Sequence, residues 1–419
     1  MLGGLIRIKL PHIQAEVVSR FLNATVSYLV TAATLFITFQ WLRHQISANA
    51  LQDILSFFFI AGLASSIEPG TVKAHLLSQS DHADKKNIEL LCMLVVCTSK
   101  ALLVSPFVAM VWFLTDVGEA SFLWYLAWTT PLVIIGFITT DLRVIVDAGG
   151  RYAHAVWLKQ GSLSLGMFVL AVVYKLGGSS IDIAIGAALF TRALWLVIFF
   201  LLEHDQFART THSIIGPLIN ADNRRWLDFA LTSVLAALSG SIDRILAFRY
   251  LPANVASSFF VISELLTKFW LLPYVFGPIV FAKWATGADG SYFTRSAHFV
   301  IVALGTIYVA IVTLTVSIYP TYLYNLVGEA FNVYGIVIFS IAIVIVSTSQ
   351  IFAAELQGRG CARQVVYVFL IITILSVPLF YYCIQFFSIQ GVYFAWITKT
   401  MIECIFLCLF LGKVIQHDS

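Results

Sequence analysis

Glu264 and Lys268 lie four residues apart inside a long apolar run, and Lys399 and Glu403 repeat that spacing in another. On a helix the spacing puts both side chains of a pair on one face, close enough to neutralise each other. Lys100 and Arg192 also sit deep in apolar runs, with no acid at such a spacing. An ionised group in hydrocarbon is costly unless it is paired or hydrated, so each of these residues needs a reason to be there. Together the six make four cations and two anions. That cationic excess suits an anionic group, such as a phosphate or pyrophosphate, entering a hydrated cavity. The simpler account is ion pairing between helices that fixes packing alone. Asp243-Arg244, near the end of a further run, reads either as a gate contact or as an interface anchor whose basic side chain snorkels to the surface.

The groups that are missing narrow the chemistry. All nine histidines fall in connectors or near the ends of apolar runs, which argues against haem ligation or a histidine proton relay between helices. No phosphate-binding Gly-rich loop is present, so direct ATP hydrolysis is excluded. No Ser-His-Asp set has a plausible depth. The six cysteines form no CxxC pair; Cys404 and Cys408 share a helix face but read as small packing residues rather than metal ligands. No cofactor and no metal are expected.

The elements that must position these charges are membrane spans. The chain has 419 residues, is 60% hydrophobic and 11% charged, and has a mean hydropathy of +0.90. Twelve apolar stretches reach the ~20 residues needed to cross a bilayer. They are Phe21–Leu42, Leu51–Val72, Ile88–Leu114, Ser121–Val146, Val156–Tyr174, Ile181–Leu202, Trp226–Ala247, Ala253–Phe281, Phe293–Ile318, Gly328–Ala354, Val365–Phe387 and Gly391–Leu411. They are continuously apolar and lack the alternation of barrel strands, so the expected class is an all-α polytopic membrane protein. The segment Met1–Ser19 has no continuous apolar core or small-residue cleavage site and reads as a short interfacial or cytoplasmic lead-in.

Orientation follows from connector Lys and Arg. Alternation of the spans puts Arg43, Lys175, Arg244 and Arg249 on one side and sixteen others on the N-terminal side, so both termini are expected in the cytoplasm. The longest connector, from His204 to Arg225, divides the chain into lobes 1–213 and 214–419, each of six helices entering the membrane in the same direction. Faint self-similarity fits a duplication. Ser56-Phe57-Phe58-Phe59-Ile60 resembles Ser258-Phe259-Phe260-Val261-Ile262, and Gly149-Gly150-Arg151-Tyr152-Ala153 resembles Gly358-Arg359-Gly360-Cys361-Ala362, at offsets of 202 and 209 positions. Helix breakers cluster as Pro273, Gly277 and Pro278 in the eighth span and Glu68-Pro69-Gly70 at the end of the second. Bent helices at matching places in two lobes often line a central cavity, although prolines are also common in membrane helices generally.

The stretch Ser241-Ile242-Asp243-Arg244-Ile245-Leu246, followed by Leu251-Pro252-Ala253-Asn254-Val255-Ala256-Ser257-Ser258-Phe259-Phe260, resembles the multidrug/oligosaccharidyl-lipid/polysaccharide exporter superfamily. Within it the likeness is to bacterial O-antigen and capsule flippases of the Wzx type. Family members often carry Gly-x-Tyr where this chain has Ala256-Ser257-Ser258-Phe259, and the opening pair of spans, Ser19 to Val72, is also similar. The resemblance implies a flippase of the bacterial inner membrane that moves undecaprenyl-pyrophosphate-linked oligosaccharide repeat units by alternating access around a central cavity. It implies that the first, second, seventh and eighth spans face that cavity. Arg20, Lys268 and Arg244 are then the substrate-binding candidates, and Glu68, Asp243 and Glu264 those for ion coupling or gating. Lys100, Arg192, Lys399 and Glu403 remain as other intramembrane charges. Implied partners are a polyprenyl-pyrophosphate-linked glycan, membrane lipid and other polysaccharide-assembly proteins, with no nucleic acid. Two alternatives stand beside it. A multidrug or small-cation antiporter of the same superfamily needs a net acidic cavity. An intramembrane polysaccharide polymerase or ligase needs a large outward loop, and the outward connectors here are short.

Overall fold

The computed structural model describes residues 10–67, 90–115, 120–148, 152–176, 180–202, 224–285, 290–328 and 330–418. The regular elements among them are all helical: α1 (Leu10–Arg43), α2 (Ala48–Ser66), α3 (Leu90–Thr115), α4 (Phe122–Ala148), α5 (Tyr152–Leu176), α6 (Ile181–Leu202), α7 (Arg224–Ser239), α8 (Ile242–Tyr250), α9 (Ala253–Leu266), α10 (Leu271–Ala285), α11 (Ser291–Ile318), α12 (Pro320–Val327), α13 (Val333–Gly358) and α14 (Ala362–Asp418). Eleven stretches are long and apolar enough to cross a membrane. The last of these, Ala362–Gly412, contains two consecutive helices meeting at Ser388, whose φ of 51° and ψ of −133° lie outside helical space. The expected spans Val365–Phe387 and Gly391–Leu411 are those two helices. The protein is a multi-pass membrane protein.

One boundary differs from expectation. Helix α1 begins at Leu10, inside the segment read as a lead-in. Pro11 falls in its first turn, where a missing N–H costs no hydrogen bond, and nothing from His12 to Arg20 breaks a helix.

Two spans are interrupted, and at each interruption a side chain of another helix bonds a main-chain carbonyl. The seventh span is α7 and α8, separated at Gly240-Ser241, where the Gly240 and Ser241 N–H groups turn back to Ala236 and Leu238. The eighth is α9 and α10, joined by a 3₁₀ turn over Thr267–Trp270. Pro273 explains it: the ring offers no N–H to the Phe269 carbonyl and pushes against it, so the chain tightens just before the proline. At the start of that turn the Leu266 carbonyl accepts a bond from Tyr308 Oη of α11 at 3.0 Å. Elsewhere the ends are locally specified. Asn332 caps α13 by accepting from Gly335 N at 2.9 Å. Gly360, at φ 80°, ends the same helix in a Schellman turn, with Cys361 N on Leu356 O and Gly360 N on Gln357 O.

Helices of the first half pack among themselves, α1 on α5, α3 on α4 and α5 on α6, and those of the second half do likewise, α13 on α10, α11 and α14 and α7 on α14. The halves meet where α1 and α2 lie against α9 and α10, and α3 touches α8. One buried apolar cluster runs across that seam, joining Phe57, Phe59 and Trp112 to Phe248, Phe259 and Tyr393.

Candidate functional site

Asp243 and Arg244 are neighbours at the start of α8, and their side chains enter two different charge clusters. Arg244 turns to the seam, where its Nη2 stands 3.2 Å from Glu264 Oε1 and its Nε donates to Ser263 Oγ at 3.1 Å. The other carboxylate oxygen, Glu264 Oε2, accepts from Lys268 Nζ at 3.0 Å. One carboxylate therefore bridges two cations. Glu264 and Lys268 keep 24% and 21% of their side chains accessible, whereas Arg244 is almost fully covered. Lys268 also faces the first half, 5.9 Å from the centre of the Tyr28 ring of α1. The break in the eighth span produces this: the 3₁₀ turn carries Lys268, and α9 brings Glu264 up one turn before it.

Asp243 turns into the second half instead. It is 1% exposed, and neither carboxylate oxygen accepts a well-formed hydrogen bond. Lys399 of α14 lies within its electrostatic reach and donates to the Ser239 carbonyl, one of those freed where α7 ends. The Lys399 ammonium also sits 4.6 Å from the Trp396 ring centre. The expected Lys399–Glu403 ion pair is not made. Glu403 Oε1 accepts instead from Ser349 Oγ at 2.7 Å and Gln350 Nε2 at 3.4 Å on α13, because those donors satisfy the acid across the helix contact while Lys399 is drawn to the broken end of α7.

The seam closes differently at its two ends. At the end carrying Arg43, side chains of the first half donate to main-chain carbonyls of the second. Gln52 Nε2 reaches Phe248 O at 2.9 Å, Arg43 Nη1 reaches Asn325 O and Leu326 O at 3.3 and 3.2 Å, and Gln40 also bonds Leu326 O. Gly328, at φ 103°, turns the chain there so tightly that a Cβ would stand 2.7 Å from Ser258 Oγ. Toward the opposite end the closure is aromatic and apolar. Tyr28 meets Tyr274 edge-on at 5.7 Å, Arg143 of α4 stacks on the Tyr274 ring at 4.0 Å, and Val156, Leu271 and Val275 pack around them.

Of the remaining expected residues, Arg192 is buried within the first half and Lys100 is near Asp141, an acid that the sequence reading passed over. Asp141 is 3% exposed and accepts from Cys97 Sγ at 3.0 Å. It lies two residues before Arg143, inside the expected span Ser121–Val146, on a helix that runs to Ala148. Arg20 lies on α1, but its side chain is outside the described residues, as is all of Glu68. Neither Asp243 nor Arg244 is a snorkelling anchor, since both are buried. His298 corrects the reading that histidines stay at helix ends: it is inside α11, its ring 4.3 Å from that of Phe352. Among the described residues no His, Cys, Asp and Glu group could hold a metal ion.

The order and packing of these helices define a twelve-span bundle with the fold of the MATE transporters. A MATE protein in complex with MaD3S superposes over 96% of both chains with a TM-score of 0.66 and 16% identity. An outward-facing multidrug-resistance MATE-family transporter of the MOP superfamily covers the same shares at 0.64 and 14%. A mutant of the Vibrio cholerae MATE transporter VcmN covers 96% of this chain and 98% of its own at 0.61 and 11%. No family model matches the sequence, and no curated protein matches it.

Proposed function

We propose that the protein is an alternating-access membrane transporter whose substrate is an anionic lipid-linked glycan, a polyprenyl-pyrophosphate-linked repeat unit moved from the cytoplasmic to the periplasmic leaflet of a bacterial inner membrane. The two halves of the chain, 1–213 and 214–419, act as the moving lobes. The Arg43 end faces the periplasm, in keeping with the placement of connector Lys and Arg. The observation that carries this reading is the bridge on the seam: Arg244 and Lys268 share one carboxylate and leave a net positive charge, with Lys268 and Glu264 partly accessible and Arg244 buried behind them. A pyrophosphate would compete with Glu264 for both cations, since it offers more acceptor oxygens and more charge. Glu264 holds the site occupied until substrate arrives. With Glu264 committed to two cations, the coupling role falls to Asp243, whose buried carboxylate has room for a proton. No enzymatic step and no cofactor enter this scheme.

The second reading, a multidrug antiporter, is favoured by the described activity of the similar structures. One experiment separates the two. In a strain deleted for the gene, the flippase reading expects lipid-linked repeat units to accumulate and surface polysaccharide to fall, with both restored by the wild-type chain. Complementation with Lys268→Ala or Arg244→Ala should fail while the protein still reaches the membrane. Unchanged polysaccharide in the deletion strain, together with greater sensitivity to cationic drugs, would select the antiporter.

A further inference from the structure

Arg192 is a buried cation with an incomplete set of partners. It is 2% exposed, on α6 inside the first half. Its Nε donates to Ser162 Oγ of α5 at 3.2 Å and its Nη2 to Ser65 Oγ of α2 at 2.8 Å, while Nη1 has no acceptor. No carboxylate pairs with it among the described residues. One turn along α6, Trp195 presents a second buried N–H without an acceptor. Both side chains lie over the same stretch of α5. A Cβ at Gly161 would stand 2.7 Å from Trp195 Cζ2, one at Gly166 would stand 2.9 Å from Arg192 Cγ, and Ser162 lies between them.

The carbonyls nearby are already engaged. Ser65 O accepts from Thr140, Ser66 O from Ser233, and Ala61 O from Ser65 Oγ. The site therefore offers donors and a full positive charge and, among the described residues, lacks an acceptor of opposite sign. Water would satisfy an N–H but leave the charge uncompensated in a low-dielectric bundle. We propose that a monovalent inorganic anion of the chloride class occupies this place, held by Arg192 Nη1 and Trp195 Nε1 over Gly161 and Ser162. The anion would fasten the end of α2 to α5 and α6. The side chains that would hold the anion, Arg192 and Trp195 of α6, and the small residues beneath them on α5 all belong to the first half.

The test uses the purified full-length protein in detergent, with thermal unfolding followed in sodium chloride, sodium bromide and sodium gluconate at equal ionic strength. A ligand that binds only the folded state raises the unfolding midpoint with concentration until it saturates. The intact protein is expected to unfold at a higher temperature in chloride and bromide than in gluconate. Arg192→Gln should unfold at the same temperature in all three, and Trp195→Phe should need several-fold more chloride for the same shift. Equal midpoints for the intact protein, or a full chloride effect in Arg192→Gln, would overturn the proposal. Crystals of the intact protein grown in bromide give a readout free of any folding defect. An anomalous peak beside Arg192 supports the site, and bromide ordered elsewhere but absent there refutes it.

Discussion

Two charge clusters begin at adjacent residues and differ in what they have at stake. The cluster of Asp243, Lys399 and Glu403 lies wholly within the second half, each residue no more than 2% exposed. The bridge of Arg244, Glu264 and Lys268 stands on the seam with its acid and lysine partly accessible. Removing one member of a buried set strands the others in low dielectric, whereas partly hydrated charges lose little when a partner goes. The contrast teaches that intramembrane charge falls into two kinds, one enclosed within a bundle and one partly exposed on the seam between bundles. Depth alone does not tell them apart.

The comparison can be broken by substitution, beginning with the largest effect. Lys399→Leu should cost about 3–5 kcal/mol in thermal unfolding, because two buried acids, Asp243 and Glu403, lose the cation within their electrostatic reach; a cost no greater than that of Lys268→Leu would erase the distinction. Lys268→Ala should leave stability within about 1 kcal/mol. Glycan transport by the same variant should fall about tenfold or more, the effect of about 1.4 kcal/mol of lost substrate or transition-state binding. Tyr274→Leu removes the ring under Arg143, an interaction worth about 0.5–2 kcal/mol. Labelling of a cysteine placed at position 271 in a cysteine-free background should then rise, and Tyr274→Phe should restore it. Gln52→Leu should weaken the Arg43 end by about 0.5–1.5 kcal/mol, read as a shift toward longer spin-label distances across that end.

Much of the fold was legible because length and continuous apolarity are strong signals and cross-bundle contacts are not needed to see them. The Glu264–Lys268 pair was legible for the same local reason, its four-residue spacing. Arg244 joins that pair across a helix crossing, which no spacing reveals. Lys399 and Glu403 have the same spacing yet part company, because Ser239 O and Ser349 Oγ offer each a better-placed partner on another helix. Pro273 announced a disturbance in the eighth span, but the break at Gly240-Ser241 carried only a Gly-Ser pair, too common in membrane helices to stand out. Asp141 has no cation three or four positions away in its own run, and its partners Cys97 and Lys100 lie on another helix, which no spacing reveals.

The closure at the Arg43 end has a consequence for genetics. Its acceptors are the carbonyls of Phe248, Asn325 and Leu326, which every amino acid supplies alike. Single substitutions at those three positions leave the acceptor atoms in place, while substitutions at Gln40, Arg43 or Gln52 delete the donors outright. A screen for alleles that loosen this end should therefore return a lopsided map, dense on α1 and α2 and sparse on the chain opposite.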